Sequence, residues 1–391
     1  MSKSRLPAGI WMLGLVSLFM DVSSEMIHGL LPLFLTTVVG ASALMVGLIE
    51  GLAEATASFM KLVSGAWSDR MGKRKPLAVL GYGLAALSKP LFPLADSVLT
   101  VLLARVADRV GKGIRGAPRD ALVADLTAPA QRGAAYGLRQ SLDTVGAFVG
   151  PLLAIGLMIV FAGDMRAVFA VAVIPALLSV AILVVGVREP ARAPVPAAKR
   201  PRFNLAALRR LPRPFWLLMI VTAPFTLARF SEAFLILRAE SAGLALALAP
   251  LTLVVMNLVY SLSAYPAGRL SDRMPRTRLL GYGCAVLIAA NLCLALGDGL
   301  AWAFAGIVLW GLHMGLTEGL IAALVADHAP AELRGTSFGV LHFVRGVLLL
   351  VASVLAGALW SGIGPLATFA TGALFSALTL VSLGLLREKK P

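Results

Sequence analysis

The chain has 391 residues, of which 59% are hydrophobic and only 14% charged, and its mean hydropathy is +0.87. Soluble domains carry about one quarter charged residues, so this composition excludes a water-soluble globular protein. The formal net charge of +15 would be compatible with nucleic-acid binding, but the basic residues cluster in short segments between apolar runs, and we predict no nucleic-acid partner.

Apolar runs long enough to cross the roughly 30 Å hydrocarbon core of a bilayer recur along the whole chain. They lack the alternating pattern of a transmembrane β-barrel, and we therefore predict an all-α membrane protein. Twelve spans fit, at residues 8–39, 44–69, 76–95, 98–122, 131–161, 165–187, 213–239, 244–270, 277–297, 299–326, 333–361 and 364–386.

The segments between the spans fall into two alternating sets that differ in charge. One set is basic, and includes DRMGKRK at 69–75, SDRMPRTR at 271–278 and the REKK tail, whereas the other carries almost no Lys or Arg. Basic loops stay on the cytoplasmic side of a membrane. We therefore predict a multi-pass protein with both termini in the cytoplasm, located in a bacterial inner membrane.

The segment at 188–213 is rich in proline and arginine. It is typical of a cytoplasmic linker, and its basic side chains are expected to contact anionic lipid headgroups. It separates two predicted six-helix halves, at 1–187 and 214–391.

The two halves repeat one another in sequence. SDRM, GYG and LVAD each occur twice, at offsets of 203, 200 and 202 residues, beginning at 68 and 271, 81 and 281, and 122 and 324. A duplication of six spans with matching orientation predicts a pseudo-two-fold axis along the membrane normal.

A second-span signature gives the first family resemblance. GAWSDRMGKRK at 65–75 resembles the G-x-x-x-D-R-x-G-R/K-R/K motif of the major facilitator superfamily. GRLSDRMPR at 268–276 is similar, although Pro275 replaces the second glycine. With the twelve spans, the repeat and the basic linker, this resemblance covers the whole chain and implies a secondary transporter with alternating access.

The resemblance also implies a cytoplasmic gate, since the motif is expected to latch the two halves when the cavity faces outward. The alternative is that these residues are only positive-inside charges. Arg119 and Asp120 are expected to be partners of Asp69 and Arg70. The predicted gate residues are Gly65, Asp69, Arg70, Gly72, Arg74, Arg119, Asp120, Asp272 and Arg273.

GAFVGPLLA at 146–154 is similar to the G-x-x-x-G-P-x-x-G-G motif of superfamily antiporters. Ala154 and Ile155 stand where that motif has two glycines. Gly146, Gly150 and Pro151 would allow close helix packing and a bend. The resemblance implies antiport, whereas small-residue packing common to membrane bundles is the alternative.

The first span carries Asp21, Glu25 and His28 within about 60° of one helix face. A charge inside a membrane is costly and by default marks a functional site. We predict a proton or substrate site here, with a salt-bridged structural cluster as the alternative. The resemblance implies that the first and fourth spans of each half line the cavity.

The fourth span is more basic, with Arg105, Arg109, Lys112 and Arg119 on one face. Its glycines, with Pro118, predict a flexible or broken helix. Arg139 and Asp143 on the fifth span are spaced to pair locally. Further candidates are Gln140 on the fifth span, the second-span stripe Glu50, Glu54 and Lys61, and Glu232, Glu318, His342 and Arg345 in the second half.

The leading hypothesis is a proton-coupled antiporter that exports a small organic compound, with Asp21 or Glu25 carrying the proton. A divalent transition-metal exporter could use Asp21, Glu25 and His28 as ligands. A symporter of an anionic metabolite or chelate, and a membrane sensor that does not transport, are further alternatives. The sequence shows no enzyme motif, and we expect a monomer with no cofactor, whose partners are protons and a small molecule or ion.

Overall fold

The structure is a computed structural model that describes residues 6–71, 73–128, 131–189, 211–271, 273–318, 320–328 and 333–386. These residues form helices joined by turns, without a strand among them. Two predicted gate residues, Gly72 and Asp272, lie outside the described residues. For Gly65, Asp69 and Arg70, only the helical backbone is described.

The predicted spans of the first half each correspond to a helix or a helix with a short extension. These are α1 (Ala8–His28), α2 (Leu31–Leu33) with a π-helical turn (Phe34–Val38), α3 (Ala43–Met71), α4 (Lys75–Ser88) with a 3₁₀ turn (Lys89–Leu91), α5 (Val98–Asp125), α6 (Arg132–Val160) and α7 (Met165–Gly186).

The second half follows the same plan. Its helices are α8 (Arg213–Leu227), α9 (Ala233–Ser241), α10 (Leu251–Ser271), α11 (Arg276–Leu296), α12 (Leu300–Thr317), α13 (Leu320–His328), α14 (Arg334–Gly362) and α15 (Pro365–Ser382).

Nine of the helical segments in the described part of the chain are long and apolar enough to cross a membrane. The other three predicted spans correspond to α4, α5 and α8. The helices α4 and α8 have 14 and 15 residues, and α5 carries a high density of charged side chains. The all-α membrane fold predicted from the sequence is therefore confirmed.

The contacts divide the described residues into two compact units. The first unit holds those within Met1–Leu31 and Thr56–Phe203, and the second holds those within Pro32–Ala55 and Asn204–Pro391. The N-terminal half of α3 thus packs with the second unit, although it belongs to the first half by chain order.

Glycines explain this attachment of α3 to α14. A Cβ on Gly51 would lie 3.0 Å from Cα of Leu350, and a Cβ on Gly357 would lie 2.5 Å from the carbonyl oxygen of Ala43. The backbone N–H of Leu44 also donates to Oγ of Ser361 at 3.0 Å. The two helices therefore touch backbone to backbone, an approach that larger side chains would prevent.

Each unit packs its helices in the same pattern. In the first unit, α1 packs on α6 and α7, and α4 packs on α5 and α7; in the second, α8 packs on α14 and α15, and α11 packs on α12 and α15. The same contacts between corresponding helices agree with the sequence repeat.

Three spans that were predicted as continuous are interrupted. The first breaks at Gly29 and Leu30, the seventh at residues 228–232, and the tenth between α12 and α13, at Glu318. In the seventh span, Ser231 N donates to Oγ of Ser353 at 3.2 Å, so a side chain of α14 replaces a helical hydrogen bond.

The glycines and Pro118 of the fourth span predicted a flexible or a broken helix, and the second of these outcomes is wrong. Helix α5 continues from Val98 to Asp125 with Pro118 inside it. The glycines serve helix packing instead. A Cβ on Gly111 would lie 2.6 Å from the carbonyl oxygen of Gly81 in α4, and a Cβ on Gly113 would overlap Met60 in α3.

Candidate transport site

The GxxxGP segment of α6 packs directly on the acidic face of α1. A Cβ on Gly146 would lie 2.6 Å from the carbonyl oxygen of Leu18, and one on Gly150 would lie 2.8 Å from the carbonyl oxygen of Val22 and from Cβ of Glu25. The two motifs that the sequence presents separately therefore form one contact.

Two carboxyl groups meet at this contact. Asp21 of α1 and Asp143 of α6 lie close enough for their carboxyl groups to interact. When both are ionised they repel as like charges, and a proton shared between them removes this repulsion. The pair is therefore a place where a proton can be held and released.

Guanidinium groups of α5 and α6 border this carboxyl pair. Arg139 donates from Nη1 to Oδ2 of Asp143 at 3.1 Å, the local pair predicted from the sequence, and from Nη2 to Oε1 of Gln140 at 2.8 Å. Nη1 of Arg119 lies 4.0 Å from Oδ1 of Asp143. Both cations can stabilise Asp143 when the shared proton leaves.

Arg119 and Asp120 take part in this network. Arg119 donates from Nε to Oδ1 of Asp120 at 3.1 Å and from Nη1 to Oγ of Ser17 at 3.3 Å. Nε of Arg139 lies 3.9 Å from Oδ1 of Asp120. Their expected gate partners, Asp69 and Arg70, have side chains outside the described residues.

Glu25 and His28 form a separate pair on the same helix. Nδ1 of His28 lies 3.6 Å from Oε2 of Glu25, at the point where α1 ends. The first-span residues predicted to act together therefore have different partners. Asp21 lies beside Asp143 of α6, whereas Glu25 has a basic partner on its own helix.

A sealed ion pair lies deeper in the first unit. Nζ of Lys89 donates to Oδ1 of Asp108 at 2.9 Å and to Oγ of Ser24 at 3.0 Å, and Nε of Arg109 lies 3.6 Å from Oδ2 of Asp108. The Lys89 and Asp108 side chains are 2% and 3% exposed. Lys89 was not among the predicted site residues, although an isolated lysine in an apolar span is a signal for such a pair.

The remaining α5 cations are distributed around this core. Arg105 is buried, and the guanidinium of buried Arg115 lies 4.7 Å from the centroid of the Tyr82 ring in α4. Lys112 is half-buried. Of the residues predicted to share one face of this helix, Arg105 and Arg109 are thus buried, and Lys112 and Arg119 are half-buried.

The predicted gate residue Arg74 contacts two carboxylates. Its Nε lies 3.8 Å from Oδ2 of Asp125, at the end of α5. Its backbone N–H donates to Oε1 of Glu189, whose Oε2 accepts from Lys75 N at 3.2 Å, so Glu189 caps the start of α4. Sequence reasoning missed Glu189, which lies beyond the last span of its half.

The second unit repeats the arginine–aspartate contact. Arg276 pairs with Asp327, and both residues lie 202 positions after Arg74 and Asp125 (276 − 74 and 327 − 125). This pair is therefore part of the duplicated structure, whereas Arg273 in the same connection is exposed.

A second charged cluster lies at two helix breaks of the second unit. Nη2 of Arg229, in the break of the seventh span, donates to Oε2 of Glu318 at 2.9 Å, in the break of the tenth. The side chains are 14% and 42% exposed. Arg345 of α14 lies close enough to interact with both.

Buried His313 lies near this cluster. Its Nδ1 is 2.8 Å from the carbonyl oxygen of Gly283, and its ring centroid is 5.7 Å from that of Phe225. The guanidinium of Arg229 lies 5.4 Å from the same Phe225 ring. Phe225 therefore lies close to both the histidine and the arginine that pairs with Glu318.

The other predicted residues do not join these clusters as one group. The second-span stripe is divided, since Glu50 and Glu54 belong to the second unit and Lys61 to the first. Glu50 is buried and Lys61 exposed. Glu232 directly precedes α9, and His342 is exposed on α14.

The metal-site alternative finds no donor cluster. Among the described residues, no group of three or more His, Cys, Asp and Glu side chains is gathered closely enough to hold a metal ion. Asp21 and Glu25 instead have the partners given above.

The sequence profile of the Major Facilitator Superfamily matches residues 13–353 of the chain. The chain belongs to this family. An uncharacterised transporter of the same superfamily from Methanocaldococcus jannaschii is 31% identical over 384 residues, covering 97% of this chain and 94% of the relative. The predicted membership of the superfamily is thus confirmed, and the chain is a multi-pass membrane protein and a secondary transporter.

Two further comparisons add detail. The multidrug resistance protein MdtH of Aeromonas hydrophila is 34% identical over 145 residues, covering 37% of this chain and 36% of that protein. The crystal structure of the nucleoside transporter NupG has a TM-score of 0.80 at 10% identity, covering 96% of this chain and 98% of that one. The latter similarity shows the shared superfamily fold.

Proposed function

We propose that this superfamily member is a proton-coupled antiporter that exports a small organic compound. The observation that carries the proposal is the juxtaposition of the Asp21 and Asp143 carboxyl groups where α1 packs on the GxxxGP segment of α6. The partial similarity to multidrug resistance proteins supports export as the direction.

The guanidinium groups of Arg139 and Arg119 compete with the proton for the Asp143 carboxylate. With a proton on the pair, Asp21 and Asp143 attract one another; without it they repel as like charges. Arg139 and Arg119, which border Asp143, then stabilise the ionised form. Proton binding and release therefore exchange a contact between α1 and α6 for contacts with guanidinium groups, which is the kind of two-state change that coupling requires.

The structure also separates the two acids that the sequence left equivalent. Glu25 has His28 as a local basic partner, whereas Asp21 faces a second carboxyl group. We therefore assign the coupling proton to Asp21 with Asp143, and expect Glu25→Gln to impair transport less than Asp21→Asn.

The test uses everted membrane vesicles with an acidic lumen. A first panel of drugs, metals and organic anions, with and without an uncoupler, identifies a transported compound. Adding that compound should then release protons from the lumen, measured with a pH-sensitive dye. Asp21→Asn and Asp143→Asn should abolish this release and retain exchange of substrate for substrate, because only the proton site is removed.

Asp298→Asn is the matched control, since it makes the same carboxyl-to-amide change at an exposed position between α11 and α12. It should release protons at the wild-type rate. An Asp21→Asn protein with undiminished substrate-driven proton release would overturn the proposal.

A further inference from the structure

The Arg229–Glu318 ion pair is more accessible than the sealed pair of Lys89 and Asp108. It joins two helix breaks, and Glu318 is 42% exposed. Charged side chains in membrane proteins face the bundle interior or an aqueous cavity rather than lipid. Broken spans are also where transporters of several folds place their substrate sites.

The charges around the pair are balanced. Arg345 interacts with both partners, and the Tyr260 hydroxyl lies close enough to interact with Arg229, Glu318 and Glu232. Two guanidinium groups and two carboxylates make the cluster formally neutral.

We propose that Arg229 and Glu318 form an exchangeable ion pair that binds an amphoteric substrate, a small compound carrying both a carboxylate and an amine. The carboxylate would bind Arg229 and the amine would bind Glu318. This inference deepens the proposed function, since it names the substrate class of the exported compound.

The balance of charge selects this class of ligand. An accessible ion pair contributes only about 0–1 kcal/mol, so opening it is inexpensive if both charges find new partners. A ligand with only a carboxylate would bind Arg229 but face Glu318, and one with only an amine would bind Glu318 but face Arg229 and Arg345. Such like-charge contacts oppose binding, whereas an amphoteric ligand satisfies both sides.

The surroundings hold the two receptor groups in position. The guanidinium of Arg229 lies over the Phe225 ring, and the break that carries it is tied to α14 by the hydrogen bond from Ser231 to Ser353. A ligand therefore meets a preorganised arginine and does not need to order a flexible one.

The experiment measures ligand-dependent thermal protection of the full chain, purified in detergent at neutral pH. Three matched sets of ligands are compared: phenylalanine with 3-phenylpropanoate and 2-phenylethylamine; 5-aminopentanoate with pentanoate and pentylamine; and alanylalanine with its N-acetyl and C-terminal amide forms. In at least one set, the amphoteric member should protect at a half-saturating concentration about tenfold lower than either singly charged member.

Variants assign the preference to the ion pair. Glu318→Gln should remove the preference over the acid, and Arg229→Gln the preference over the amine. The reversed pair, Arg229→Glu with Glu318→Arg, should restore it. Arg166→Gln is the matched control, since Arg166 forms an exposed ion pair with Asp96 at 2.8 Å in the first unit, and its loss should leave the preference unchanged.

The proposal is overturned if no set shows the amphoteric preference, or if the preference survives in both single variants. Because this assay has no proton gradient, its result does not depend on coupling through Asp21. Failure of proton release in vesicles would refute the antiport proposal and leave the binding preference to stand. Proton release without an amphoteric preference would refute the binding proposal and leave antiport to stand.

Discussion

The two units place their principal ion pairs in opposite environments. Lys89 and Asp108 of the first unit are almost completely buried, and a serine and an arginine complete their contacts. Arg229 and Glu318 of the second unit lie at two helix breaks and remain partly accessible. A sealed pair is costly to open and fixes structure, whereas an accessible pair can exchange partners with a ligand.

The variant expected to have the largest effect on stability is Lys89→Met. It removes the lysine that pairs with the buried Asp108 carboxylate at 2.9 Å, and should lower the free energy of unfolding by about 3–5 kcal/mol. Denaturation of the purified protein in mixed micelles measures this loss. The double variant Lys89→Met with Asp108→Leu should recover part of it, because the buried carboxylate is removed together with its lysine partner; a double variant as unstable as the single one would refute the sealed-pair interpretation.

A smaller loss is expected at the helix contact beside the carboxyl pair of the first unit. Gly150→Ala places a methyl group against the α1 backbone at Val22 and should cost about 1–3 kcal/mol through overpacking. Gly156→Ala on the same helix meets no atom within 4 Å and should be neutral or slightly stabilising. Equal stability of the two variants would show that α1 and α6 are less closely packed.

The smallest effect is expected at the accessible pair. Arg229→Gln should change the free energy of unfolding by only about 0–1 kcal/mol, measured in the same micelles, while it alters ligand preference. A loss as large as that of Lys89→Met would mean that Arg229 is structural, and would remove the difference between the units.

Hydropathy was sufficient to predict the membrane fold because an apolar span in lipid must satisfy its backbone hydrogen bonds internally, as a helix does. The helix breaks were not predictable in the same way. The run that contains Arg229 remains apolar on both sides, and its interruption is stabilised by Ser353, more than 120 residues away in sequence.

The site was predictable only where partners are close in sequence. Arg139 and Asp143 are spaced one turn apart, and the structure pairs them at 3.1 Å. Arg229 and Glu318 are separated by 89 positions, so only the packing of α8, α9, α12 and α13 brings them together. The glycines of α5 did not indicate whether the fourth span is broken, because glycine occurs both at helix breaks and where two helices pack closely.

The interruption of the first span also bears on the ancestry of the chain. Gly29 and Leu30 lie 200 residues before Arg229 and Phe230, so both copies of the duplicated sequence break at corresponding positions. Lys89 has no such counterpart, since position 289 is an alanine. The simplest history is that a single six-helix ancestor already had the broken helix and the arginine–aspartate contact, and that Lys89 is a difference that arose between the copies after duplication.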